Sequence, residues 1–92
     1  QMAGPIFAKT ATSTGSLFGG RTRLKSFVVK TAGSGSPAAV FKDGGGSGTT
    51  LLTMAFLTSD DTQVTIPENG MVFETDCHVT LTNIDSITAF FG

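Results

Sequence analysis

Residues 62–75 read TQVTIPENGMVFET, and this stretch decides the fold class. On either side of Pro67-Glu68-Asn69-Gly70 the apolar residues alternate with polar ones: Val64 and Ile66 before it, Met71 and Phe73 after it. Period-two alternation places successive side chains on opposite faces of a strand. Asn-Gly is the strongest short-range turn signal, since both residues tolerate positive φ. The stretch is therefore expected to be a β-hairpin with Val64 and Ile66 facing Met71 and Phe73.

The same texture extends outward in both directions. Residues 78–82 and 86–91 read as a last strand pair joined by Asn83-Ile84-Asp85, with Val79 and Leu81 inward and His78, Thr80 and Thr82 outward. Residues 49–57 put Leu52, Met54 and Phe56 on one face, and residues 37–42 form a short strand before a DGGGSG turn at 43–48. The longest candidate runs from Arg21 to Thr31. It has Leu24 and Val28 on one face and Phe27 and Val29 on the other, which suggests a central place in its sheet. Residues 14–20 read as a loop, and residues 5–13 (PIFAKTATS) as a first strand or an extended arm. No window sustains the i, i+3, i+4, i+7 spacing of a helix. Seven or eight short strands between glycine-rich turns define an all-β antiparallel sandwich, jelly-roll-like, with residues 1–16 as arm or first strand and 17–92 as the sandwich domain.

Composition narrows the function classes. A chain of 92 residues buries only roughly 60–65% of its unfolded surface, a thin margin that oligomers, metals or disulfides commonly supplement. Cys77 is the single cysteine and His78 the single histidine, so an internal disulfide is excluded and no zinc-site spacing exists. Association with other subunits is the remaining source. A net charge of −1 argues against a nucleic-acid partner. No stretch approaches the ~20 apolar residues of a membrane-spanning helix. The N-terminus has no signal-peptide pattern, which with a free cysteine fits synthesis in a cytoplasm. Charged residues are 14% of the chain against a usual ~25%, so either partners cover part of the surface or threonine hydroxyls solvate it.

Catalytic and ligand-binding patterns fail one by one. The glycine run 44–48 is followed by Thr49-Thr50-Leu51 where a phosphate loop needs Lys then Ser/Thr, and it reads as a mobile hairpin tip. In Asp76-Cys77-His78 the alternation of a strand sends Cys77 and His78 to opposite faces, leaving Cys77 a small core residue and Asp76 free to bond His78. Asp60 and Asp61 sit in a turn as backbone caps. Glu74 and Asp76, about 7 Å apart on one strand face, are too few ligands for a hard cation. No enzyme and no cofactor are expected.

Two features suit a partner. Arg21, Arg23 and Lys25, at i, i+2 and i+4, make a basic stripe that is either a solvated strand end or a salt-bridging surface. In the otherwise polar residues 2–16, Ile6 and Phe7 form an anchor for a neighbouring subunit, unless the segment is simply frayed.

The segments Gly20-Arg21-Thr22-Arg23-Leu24-Lys25-Ser26, Phe41-Lys42-Asp43-Gly44, Gly48-Thr49-Thr50-Leu51-Leu52-Thr53, Ile66-Pro67-Glu68-Asn69-Gly70-Met71-Val72-Phe73 and Asp76-Cys77-His78-Val79-Thr80-Leu81-Thr82-Asn83-Ile84 carry a resemblance. Over residues 19–91 the chain resembles short virion-associated proteins of tailed phages from marine and cyanobacterial hosts. These are small β-sandwiches, some of which decorate capsids as trimeric cement proteins. The resemblance transfers no active-site residue. It implies a homotrimer in the virion that bridges capsomers, with the major capsid protein as partner. The alternative is a tail- or fibre-associated module contacting host surface glycans, which the lack of Trp and Tyr for stacking disfavours.

Overall fold

The structure is a computed structural model, described here for residues 7–68 and 70–92. Nine strands and no helix occur among these residues: β1 (Phe7–Ala11), β2 (Gly15–Gly19), β3 (Thr22–Thr31), β4 (Ala38–Asp43), β5 (Thr49–Ala55), β6 (Asp61–Thr65), β7 (Met71–Phe73), β8 (Asp76–Thr82) and β9 (Ile84–Phe91). They form two antiparallel sheets, one in the order β1-β9-β3-β6 with β7 also on β3, the other in the order β2-β8-β4-β5. Counting β6 and β7 as one interrupted strand gives two four-stranded sheets in jelly-roll order.

The expected hairpin at residues 62–75 is not formed. β6 pairs antiparallel with Ser26–Lys30 of β3, and β7 pairs with Thr22–Leu24 of the same strand, so the chain runs on in one direction along β3. Between the two strands, Pro67, Glu68 and Gly70 lie outside the ladder, and Asn69 is outside the described residues. Gly70 N–H donates to the Pro67 carbonyl at 3.2 Å, with Glu68 at φ 61° and Gly70 at φ 86°. The turn signal is local and could not say which strand would receive the next segment. The expected pair at 78–82 and 86–91 fails similarly: β8 and β9 lie in different sheets, and Asn83 at φ 53° carries the chain across.

β3 is central, as expected, but its faces differ from the simple alternation. Leu24 opposes Phe91 and Ser26 opposes Phe90, so Lys25 is an extra residue, a β-bulge. The bulge brings Leu24 onto the same buried face as Phe27, Val29 and Thr31, and leaves Val28 on the outer face at 37% exposure. Residues 14–20 are also not a loop: β2 pairs with β8 and buries Leu17. The 16/17 boundary falls inside β2, and from Phe7 onward the first segment is strand β1 on β9. Both belong to one sandwich.

The core lies between the sheets. Leu24, Phe27, Val29, Phe73, Ile87, Ala89 and Phe91 from one sheet meet Leu17, Ala39, Phe41, Cys77 and Val79 from the other. The rings of Phe27 and Phe41, one from each sheet, stand 4.9 Å apart at a 44° tilt. The outer faces carry hydroxyls, with Thr10 and Thr88 bonded side chain to side chain at 2.8 Å. Polar side chains without charge therefore solvate much of the sheet surface.

Thr31 is the buried polar residue of the core, at 3% exposure. Its hydroxyl donates to the Leu57 carbonyl at 2.7 Å and accepts the Asp60 N–H at 2.8 Å, pinning the β5–β6 connection to β3. Nothing in the sequence marks this threonine among the 14 others of its kind. Thr31→Val keeps the shape but strips both partners of their bond, a loss of about 1–3 kcal/mol. The urea midpoint should fall accordingly, with faster amide exchange at Asp60.

Candidate interaction surface

The residues of the expected basic stripe are not carried by one regular strand. Arg21 precedes β3 and its guanidinium pairs with Glu74 at 2.8 Å, both side chains being about two-thirds exposed (63% and 65%). Arg23 lies on the outer face opposite Val72, and Lys25 is the bulge residue. The extra residue shifts the register between Leu24 and Ser26, so the stripe ends at the bulge. An exposed pair such as Arg21–Glu74 contributes little to stability. Ile6 lies outside the described residues. Phe7 begins β1 at 53% exposure, its ring 6.4 Å from Phe18, which in turn lies 5.4 Å from Phe91. Phe7 thus belongs to the aromatic seam that closes the β1/β2 flank.

The Asp76-Cys77-His78 segment is divided among separate tasks. Cys77 is fully buried, and desolvation, followed by the nearby charges of Asp76 and Asp43, pushes its thiol up to about 12. It is therefore a protonated core thiol at neutral pH and a poor nucleophile. Asp76 does not bond His78. Its Oδ1 accepts the N–H groups of Gly44 and Gly45, each at 2.9 Å. His78 lies on the outer face beside Lys42 and under Gly46, with Nδ1 buried and unpartnered. The glycine turn expected to be mobile is instead held, since Lys42 Nζ also donates to the Gly46 carbonyl at 3.0 Å.

Asp43 completes a reciprocal clamp. Its carboxylate accepts the N–H groups of Glu74 (2.9 Å), Thr75 (2.8 Å) and Asp76 (3.3 Å), tying the end of β4 to the β7–β8 connection. These bonds, Glu74's foremost, hold its carboxyl below the ordinary carboxylate value. A folded-state value below the unfolded one stabilises the protein above the unfolded value, and that contribution disappears as pH falls through the folded one. The stability difference between the protein and Asp43→Asn should therefore be full at neutral pH and shrink below about pH 4. Urea midpoints measured across that range check it. Glu74 and Asp76, expected on one strand face, are engaged with Arg21 and the glycine turn respectively. Asp60 caps its own turn, Oδ1 accepting the Asp61 N–H at 2.9 Å. Among the described residues no group of three or more His, Cys, Asp or Glu stands close enough to hold a metal ion.

The feature with binding character is the β5 edge. Each sheet ends in two edge strands, and unpaired edges invite strand addition unless blunted. β1 carries Lys9 at its middle; β2 is five residues bounded by glycines and bulged at Leu17; β6 starts at Asp61 and breaks at Pro67 and Glu68. β5, TTLLTMA, is the longest of the four and has neither charge nor proline. It pairs only with β4, and after the unopposed Leu51 its ladder is regular through Ala55. Its inner residues Leu52 and Met54, with Phe56 beyond, stay partly exposed, as do Val64 and Ile66 of the β6 side. β1 and β2 approach each other at one flank, whereas β5 and β6 stand further apart at the other. Leu57, just after β5, is 75% exposed. The sequence held this signal in the uncharged run 49–59, but which strand would form an edge could not be read there.

Neither protein-family models, nor curated proteins, nor solved structures include a match to this chain.

Proposed function

We propose that this protein is a non-catalytic structural subunit that works by association, a decoration or cement protein of a phage capsid. The observation that carries the proposal is the unblunted β5 edge beside a half-open apolar flank, an arrangement that a folded partner completes. The resemblance of residues 19–91 to virion-associated phage proteins supplies the setting. Jelly-roll sandwiches are, by analogy of fold, also an architecture of viral capsid domains. In this reading the chain self-associates, bridges capsomers and binds the major capsid protein in the virion. Because it binds the assembled shell and not its dissociated parts, it stabilises the shell by mass action.

Electron microscopy of particles that carry the protein tests the reading. Copies at capsomer junctions support it; copies confined to the tail, or particles without the protein, overturn it. Particles lacking the protein should also break open at lower temperature.

A further inference from the structure

The geometry points to a second copy of this chain as the occupant of the β5 edge, joined β5 to β5 about a two-fold axis. The inference rests on the associative reading above and names its partner.

An edge strand presents alternating N–H and C=O groups, so its occupant is an extended strand. An antiparallel pairing of one edge with itself is isologous: each contact occurs twice, and the assembly closes at two copies. Such pairing is destabilised where like charges meet across the axis, as Lys9 would at the middle of β1, while β6 is short, begins with Asp61 and is followed by Pro67. The seven residues of β5 hold no charge, and β2 is too short and bulged to offer a regular ladder.

Side-chain facing agrees with self-pairing. Opposed residues of an antiparallel pair point to the same face, so the axis must pass through a residue of the regular ladder. With the axis at Thr53, Leu52 meets the partner's Met54. With the axis at Met54, Leu52 meets the partner's Phe56. Either arrangement puts the inner side chains of both copies together and the exposed Thr53 on the outer face. The half-open flanks then face each other across the joint, covering Leu52, Met54, Phe56, Val64 and Ile66. The two four-stranded sheets become one of eight strands.

Light scattering after size exclusion, with the full chain, tests this. The expected mass is twice 9.5 kDa, about 19 kDa. Thr53→Lys places two like charges near the axis, on an exposed position that leaves the core untouched. It should halve the mass while the circular dichroism stays that of the parent. Ala8→Lys on the β1 edge, also exposed, should leave the mass unchanged. A parent mass of one subunit at high concentration overturns the inference. So does a mass of three, or dissociation by Ala8→Lys and not by Thr53→Lys. A trimer that still occupies capsomer junctions overturns the two-fold pairing alone and leaves the capsid role standing.

Discussion

Phe41→Ala is expected to leave the protein largely unfolded. Phe41 is fully buried on β4, with its ring 4.9 Å from Phe27 of β3, so the pair joins the two sheets at the centre of the sandwich. Removing a buried phenylalanine costs about 3–5 kcal/mol through lost transfer energy and the cavity left behind. The tilted ring pair adds about 0.5–1.5 kcal/mol. Domains hold only about 5–15 kcal/mol in total, and one of this length lies toward the lower end. The loss is thus comparable with the whole stability. Urea titration followed by circular dichroism should show the midpoint collapsing. Phe90→Ala is the control, because Phe90 lies on the outer face of β9 and is only partly buried; it should lose far less. Equal losses would refute the central role of the ring pair.

Gly70→Ala is expected to be the most damaging glycine replacement near the interrupted strand. Gly70 sits at φ +86°, and a Cβ there would lie 2.6 Å from the Leu24 carbonyl oxygen and 3.3 Å from Lys25 Cδ. The left-handed conformation alone costs an L-residue about 1–2 kcal/mol. Relieving the contact requires moving the backbone at the β3 bulge, so the total should reach roughly 2–3 kcal/mol. The damage should be local as well as global: amide exchange should quicken first in Met71–Phe73, which depend on that approach to pair with Thr22–Leu24. Gly19→Ala, where nothing stands within 4 Å of the added Cβ, should be nearly neutral. If both variants behave alike, the close approach at Gly70 does not shape the strand break.

How far the fold was legible follows from the range of each signal. Alternation in residues 49–57 and 78–82 located strands β5 and β8 and told which residues face inward, because facing is a property of the local backbone. Pairing is not local. Pro67-Glu68-Asn69-Gly70 has hairpin chemistry, yet β7 continues along β3. The competing sites were the β6 edge and the still unpaired part of β3, and burial of Met71 and Phe73 against Leu24 and Phe91 favours the latter. The facing of Leu24 against Val28 was misread for a related reason: one extra residue, Lys25, resets the alternation, and a bulge leaves no compositional mark there.

The candidate surface divides in the same way. The uncharged run that becomes β5 is visible in the sequence, as are the low overall charge and the lone cysteine. That β5 is an edge, that β6 stands apart from it, and that Thr31 and Asp43 secure the connections around it became visible only in three dimensions. Fold class and the facing of residues within β5 and β8 were thus settled by the sequence alone, since each depends on neighbours a few residues apart. Strand order, the bulge and the open edge were decided by the tertiary structure. They depend on which distant strands bury the most apolar surface together, and that competition is resolved only when the whole chain packs.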